Sequence, residues 1–179
     1  MIDVLLCGVA TCKQVACIND NVADEYIQVA LREAQDMRLK RVIGTALFDK
    51  LKGLIIDKTI DNPENAAYKE LIEKARFFLA YTAMADVCVK TSFKVSNLGV
   101  VQTGDDNVRA ASMTDVQTVK NAFQNKADFY CKELQRYILK HRAALPEISD
   151  GDCADMRAHL FDAATCGIFL GGPRGKICR

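Results

Sequence analysis

Tryptophan is absent from this chain and aromatic residues make up only 7% of it, which argues against a groove built for sugars or aromatic ligands. An excess of one charge is missing as well. Twenty-four lysines and arginines face 23 acids, for a net charge of +1, so no global bias points to nucleic acid or a membrane surface. No apolar run reaches the roughly 20 residues that a bilayer requires. The nearest candidate, residues 75–89, carries Arg76 and Asp86, which would both sit in hydrocarbon. No secretory leader is expected: Met1, Ile2 and Asp3 supply no basic start, and the apolar run from Val4 to Ala10 is short and leads to Lys13.

Catalytic and metal signatures are equally sparse. The two histidines, His141 and His159, have no acid–cysteine or acid–serine pattern around them and read as surface residues. Gly172, Gly175 and Lys176 suggest a phosphate loop, but Leu170 stands where its first glycine belongs and Ile177 where its serine or threonine belongs. Cysteine is the exception to this scarcity, with eight. Cys7, Cys12 and Cys17 recur every five residues and the others are scattered, which suits neither zinc ligand pairs nor an evident bridge set. Free, reduced thiols are expected, with no metal and no cofactor.

What is present is helical periodicity. Half the residues are apolar and 26% are charged, as in a globular domain. Residues 75–89 are apolar on nearly every face of a helix, so this helix is expected at the centre of a bundle. Four main helices are predicted near residues 22–38, 45–57, 63–90 and 114–143. Val22, Tyr26, Val29, Ala30, Ala34 and Met37 form the inward stripe of the first, capped from Asn19, Asp20 and Asn21. Thr45 caps the second, which carries Leu47, Phe48, Leu51, Leu54 and Ile55. Asn62 and Pro63 open the third. Thr114 and Gln117 make a capping box for the fourth, whose stripe is Val116, Val119, Phe123, Ala127, Tyr130, Leu134 and Tyr137, with Lys120, Gln124, Asp128, Lys132 and Gln135 elsewhere.

Between the last two helices, residues 92–103 carry strand-like residues and turn chemistry that fit a short β-hairpin or an extended loop. A short strand is expected near residues 2–7 and a short helix near 154–164. The division is an N-terminal arm (1–21), a helical domain (22–146) and a C-terminal arm (147–179). The fold class is all-α, a bundle with a short β element and extended arms. Asp86 is the most conspicuous carboxylate: burial would raise its pKa or pair it with Arg76 or an arginine of another helix.

The order of these elements resembles a known family. The segment Leu39-Lys-Arg-Val-Ile-Gly-Thr-Ala-Leu-Phe-Asp-Lys-Leu51, the Tyr68-Lys-Glu-Leu-Ile72 helix running into Leu79-Ala-Tyr-Thr-Ala-Met-Ala85, the Ser96-Asn-Leu-Gly-Val-Val101 loop and a long last helix resemble the head–tail connector proteins of tailed bacteriophages, in particular those of gut Bacteroidetes phages. The similarity spans about residues 20 to 145, and Cys166-Gly-Ile-Phe-Leu-Gly171 is similar as well. The cysteine-rich arm is not part of the pattern.

The resemblance implies a non-enzymatic virion protein, assembled in the host cytoplasm as a ring, commonly a dodecamer, between the portal and the tail or further neck proteins. It implies no membrane partner. Docking would fall to Phe93, Val95, Leu98, Val100 and Val101 in the excursion, and to Ile168, Phe169, Leu170, Arg174 and Lys176 in the tail. Arg38, Lys40 and Arg41 would line a channel through which DNA passes. The competing class is a stand-alone helical ligand-binding or enzyme domain with a buried Asp86 site. A DNA-binding regulator is a third class, unsupported by any helix-turn-helix spacing.

Overall fold

A helix that is apolar on most faces has to be wrapped by others, and this requirement organises the chain. The computed structural model describes residues 4–17, 21–96, 99–102 and 112–148. Within them run α1 (Val9–Ala16), α2 (Asp24–Glu33), a π-helical segment (Ala34–Leu39), α3 (Lys40–Ile43), α4 (Thr45–Ile56), α5 (Ala66–Ser92) and α6 (Met113–Lys140). Because α2, the π segment and α3 join without leaving helical geometry, the described residues form five rods. The fold is all-α. Strands β1 (Phe93–Ser96) and β2 (Gly99–Gln102) pair antiparallel directly after α5, with Val95 opposite Val100.

α5 is the axis, about 40 Å long at ~1.5 Å per residue. Eleven of its residues are buried, Leu71, Ala75, Leu79 and Ala83 among them. α6 lies antiparallel along it: the Tyr137 hydroxyl, near the end of α6, reaches the carbonyl of Ala67 at the start of α5 (3.0 Å). α1 crosses where the side chains of α5 are small, and the Cys12 thiol meets the Ala80 carbonyl at 3.8 Å. α2 and the π segment cover another side through Ile27, Ala30, Leu31 and Ala34, while α4 adds Leu47, Phe48 and Leu51 to the same core.

The turn into α4 depends on one glycine. Gly44 has φ 83°, which side-chain-bearing residues rarely adopt, and it replaces Thr45 as the cap. At the other end of the core, Tyr68 lies 2.9 Å and 3.0 Å from the two carboxylate oxygens of Glu147, so its hydroxyl ties the 3-10 turn Pro146–Ile148 back to α5.

Several expectations are corrected. Residues 4–8 form no strand. Their backbone is instead held by Gln35, only 1% exposed, which accepts from the Leu6 N–H (2.9 Å) and donates to the Val4 carbonyl (3.0 Å). The segment read as an arm contains α1, whose Cys12 is fully buried. The helix placed at 22–38 runs from 24 to 43, and Tyr26, Val29 and Met37 face outward at 42%, 47% and 70% exposure. Ile27, Ala30, Leu31 and Ala34 have the same three-and-four spacing and win the core. Val119 is likewise exposed. The capping box lies two residues earlier than expected: Ser112 Oγ accepts from the Asp115 N–H, and the Asp115 carboxylate accepts from the Ser112 N–H, both at 3.2 Å. The α2 cap is Ala23, without a side-chain bond. The expected helix at 154–164 and the tail beyond it lie outside the described residues.

Two predictions follow from this packing. Gln35→Ala leaves the buried Leu6 N–H and the part-buried Val4 carbonyl without their partner, so it is expected to destabilise the chain by about 1–4 kcal/mol in urea titration, at the unsatisfied-group cost of ~1–3 kcal/mol for a buried group and less for a part-buried one. Alkali acts through the core thiols. Burial pushes Cys7 up to about 11 and Cys12 to about 12 from an ordinary 9.0, so the folded chain keeps protons that the unfolded chain releases. Their stabilisation is complete below pH 9 and is lost as pH rises toward 12. Urea midpoints should fall over that window, less steeply in Cys12→Ala.

Candidate functional site

Polar residues recur on α6 at Lys120, Gln124, Asp128, Lys132 and Gln135, a row that stays on one face of a helix. In the fold this row forms one wall of a groove of about 510 Å³. The opposite wall comes from the end of the first long rod, with Arg38, Arg41 and Val42. Between them α5 supplies Phe78, Thr82, Ala85 and Asp86, and α6 adds Ala127 and Cys131. The floor is apolar, because Val42, Phe78, Ala85 and Ala127 are all buried.

The π segment determines which residue enters this groove. Continued with α-helical spacing, the inward row Ile27, Leu31, Ala34 would reach Arg38 next, four residues after Ala34. Burying a guanidinium without a partner is costly. One extra residue in the π turn brings Leu39 to the core instead, at 0% exposure, and leaves Arg38 exposed on the groove wall. Arg41 follows at i+3 on the same side.

Four cations and two carboxylates therefore line one groove. Among the described residues, no ion pair within 4.0 Å joins any of these six. Asp86 is half-buried rather than enclosed, which corrects the expectation of a buried acid. It shares the groove with Arg38 and Arg41, not with Arg76. Lys40, grouped with these arginines in the sequence, turns away: its Nζ lies 5.9 Å from the Phe48 ring centre, beside Lys52 at 4.4 Å. The expected channel-lining cluster is thus divided.

The other flank of the α5–α6 pair is aromatic. Phe77 stacks on Tyr130 (5.2 Å), Tyr130 on Tyr81 (5.5 Å), and Phe129 meets Tyr130 edge-on (5.4 Å). Phe77 is 41% exposed and Phe129 59%. The two flanks are distinct on simple geometry: Lys126 and Tyr130 each stand two residues before a groove residue, Asp128 and Lys132, about 200° away around the helix. Lys126 lies over Tyr81 and Phe123, at 5.3 Å and 5.7 Å.

Of the residues expected in docking, Phe93 is half-buried at the start of β1, Val95 lies in β1, and Val100 and Val101 lie in β2. Leu98, Ile168, Phe169, Leu170, Arg174 and Lys176 fall outside the described residues. The thiols differ in environment: Cys7 and Cys12 are buried, Cys17 is exposed, and Cys88 is half-buried, with burial raising its pKa. His141 stacks on Tyr137 at 4.1 Å, and its Nδ1 lies 3.0 Å from the Tyr137 carbonyl.

Residues 39–157 match the model of DUF6712, a family of unknown function. The chain belongs to this family. The matched region begins at the core-facing Leu39 and takes in the arginine Arg41, α4, α5 and α6, so most of the groove lies within the DUF6712 region while α1 and α2 precede it. No curated protein and no solved structure matches the chain.

Asp86→Asn is expected to change unfolding free energy by less than about 1 kcal/mol, as for a half-buried carboxylate that makes no ion pair among the described residues. Leu134→Ala, at a fully buried position of the same helix pair, should cost about 2–5 kcal/mol. Parallel urea titrations compare the two. A large loss in Asp86→Asn would mean that the carboxylate holds the groove together.

Proposed function

We propose that this DUF6712 protein is a structural virion component, a head–tail connector that assembles as a ring between the portal and the tail of a bacteriophage. The reading rests on the resemblance described above. The observation that supports it most is the apolar surface left outside the core: Phe77 and Phe129 on one flank, with Met37 at 70% and Met113 at 66% exposure elsewhere. A helical core that exposes aromatic side chains this way is suited to bury them against neighbours. In this reading the chain is not an enzyme. Its partners are copies of itself, commonly twelve, the portal, and tail or further neck proteins, with DNA passing through the ring. Its place is the virion, after assembly in the host cytoplasm.

The finer parts of the reading concern the loop and the tail. The segment that begins with the paired strands is proposed as a β-hairpin that contacts neighbouring subunits, through Phe93, Val95, Leu98, Val100 and Val101. Ile168, Phe169 and Leu170, with Arg174 and Lys176, form an arm that grips a partner. Their apolar area, at roughly 25 cal/mol per Å², is large enough to matter for docking after ordering costs.

The groove favours a second reading, a stand-alone helical domain that binds a small ligand or performs chemistry at Asp86. Its volume of about 510 Å³ falls within the range of ligand sites. Assembly separates the two readings. Negative-stain images of the protein co-expressed with its portal should show a ring on the portal, and deletion of residues 165–179 should leave a folded, soluble bundle that no longer joins it. A chain that remains single beside an assembled portal would overturn the connector reading.

A further inference from the structure

The two flanks of the α5–α6 pair are complementary to each other, and the geometry points to one contact: the aromatic flank of one copy seats in the cationic groove of the next. This inference deepens the connector reading and rests on its ring. The groove has the composition of a receiving site, with an apolar floor of Val42, Phe78, Ala85 and Ala127 and a rim carrying Arg38, Arg41, Lys120 and Lys132. Against Asp86 and Asp128 these cations leave an excess of two positive charges.

The aromatic flank has the composition of an insert. Phe77 and Phe129 project beside Tyr130, held in place by stacking and edge contacts. Aromatic faces attract guanidinium and ammonium groups, most strongly when water is excluded, and aromatic side chains in a pocket form the energetic centre of many interfaces. Glu73 and Glu133 stand one turn from Phe77 and Phe129 on α5 and α6, and Lys126 lies over Tyr81 on the same flank, so the flank carries charges of both signs around its rings. Glu133 is shared with Arg136 at 2.6 Å.

The occupant is a second copy of this chain because both halves of the contact belong to one molecule, on different faces of one helix pair. Such a contact uses two different surfaces. It therefore propagates head to tail and closes into a ring or extends as a filament, and it does not stop at a two-fold dimer.

Sedimentation velocity on the full chain tests this directly. Wild type should associate as its concentration rises. Arg38→Glu with Arg41→Glu should weaken association roughly 100-fold or more by charge reversal at a desolvated rim. Lys120→Glu with Lys132→Glu, on a different helix, should do the same, and Phe129→Lys should do so from the other flank. Circular dichroism establishes that each variant is folded.

Mixing the Arg38→Glu/Arg41→Glu chain with the Phe129→Lys chain pairs an intact flank with an intact groove at one contact and lysine with glutamates at the next, so the mixture should recover association that neither chain shows alone. A single chain carrying all three substitutions places lysine opposite glutamates and should regain association. Variants that associate like wild type would overturn the interface while a ring on the portal still stands. A wild-type chain that is monomeric at its highest soluble concentration would also overturn it, and the portal images then decide the connector reading separately.

Discussion

Burial of α5 is the constraint to which the remaining elements answer. Eleven of its 27 residues are buried, and each large apolar side chain among them contributes about 1.5–3 kcal/mol when fully buried. The surface ion pairs are worth ~0–1 kcal/mol apiece. They include Lys13–Asp24, Lys69–Asp61 and Lys90–Glu33. On those magnitudes the hydrophobic term decides the fold and the ion pairs adjust its edges. The same constraint explains where small residues are placed. Ala80 and Ala83 are fully buried, and Cys12 of α1 comes within reach of the Ala80 backbone because no larger side chain intervenes.

The long helices were legible from sequence because their signals are redundant. α4 has one apolar row and one possible inward face, and α5 has almost no polar face to misplace. α6 combines a capped start with a buried row at Val116, Ala127, Leu134 and Tyr137. α2 was ambiguous for a physical reason. Tyr26, Val29 and Met37 compete with Ile27, Ala30, Leu31 and Ala34 at the same spacing, and only the packing partner chooses between them. The N-terminal helix was hidden by β-branched residues and recurring cysteines. At the start of α6, two side chains compatible with capping stood two residues apart, and the closer-fitting pair was Ser112 with Asp115.

The groove was legible on one wall. Lys120, Gln124, Asp128 and Lys132 recur every four residues, which places them on one face without reference to any other helix. Asp86 was noticeable as a charge in an apolar run. That Arg38 and Arg41 join them, while Lys40 does not, depends on the phase of a π turn, and periodicity rules written for 3.6 residues per turn do not register an inserted residue.

That inserted residue links the core to the surface. Without it, the row that buries Ile27, Leu31 and Ala34 would carry Arg38 inward, and Leu39 would be turned toward solvent. With it, Leu39 packs at 0% exposure and the guanidinium of Arg38 is delivered to the groove. The same segment contains Gln35, whose amide satisfies the Val4 carbonyl and the Leu6 N–H, so the N-terminal chain is fastened to the turn that sets the groove's charge. A π turn is less favourable than an α turn, but burying an unpaired guanidinium costs several kcal/mol or more, so the irregular geometry is the lower-energy choice. The arrangement of the cationic rim is therefore a consequence of core packing: any change that restored α-helical phase between Ala34 and Lys40 would have to remove the arginine or rebuild the core around it.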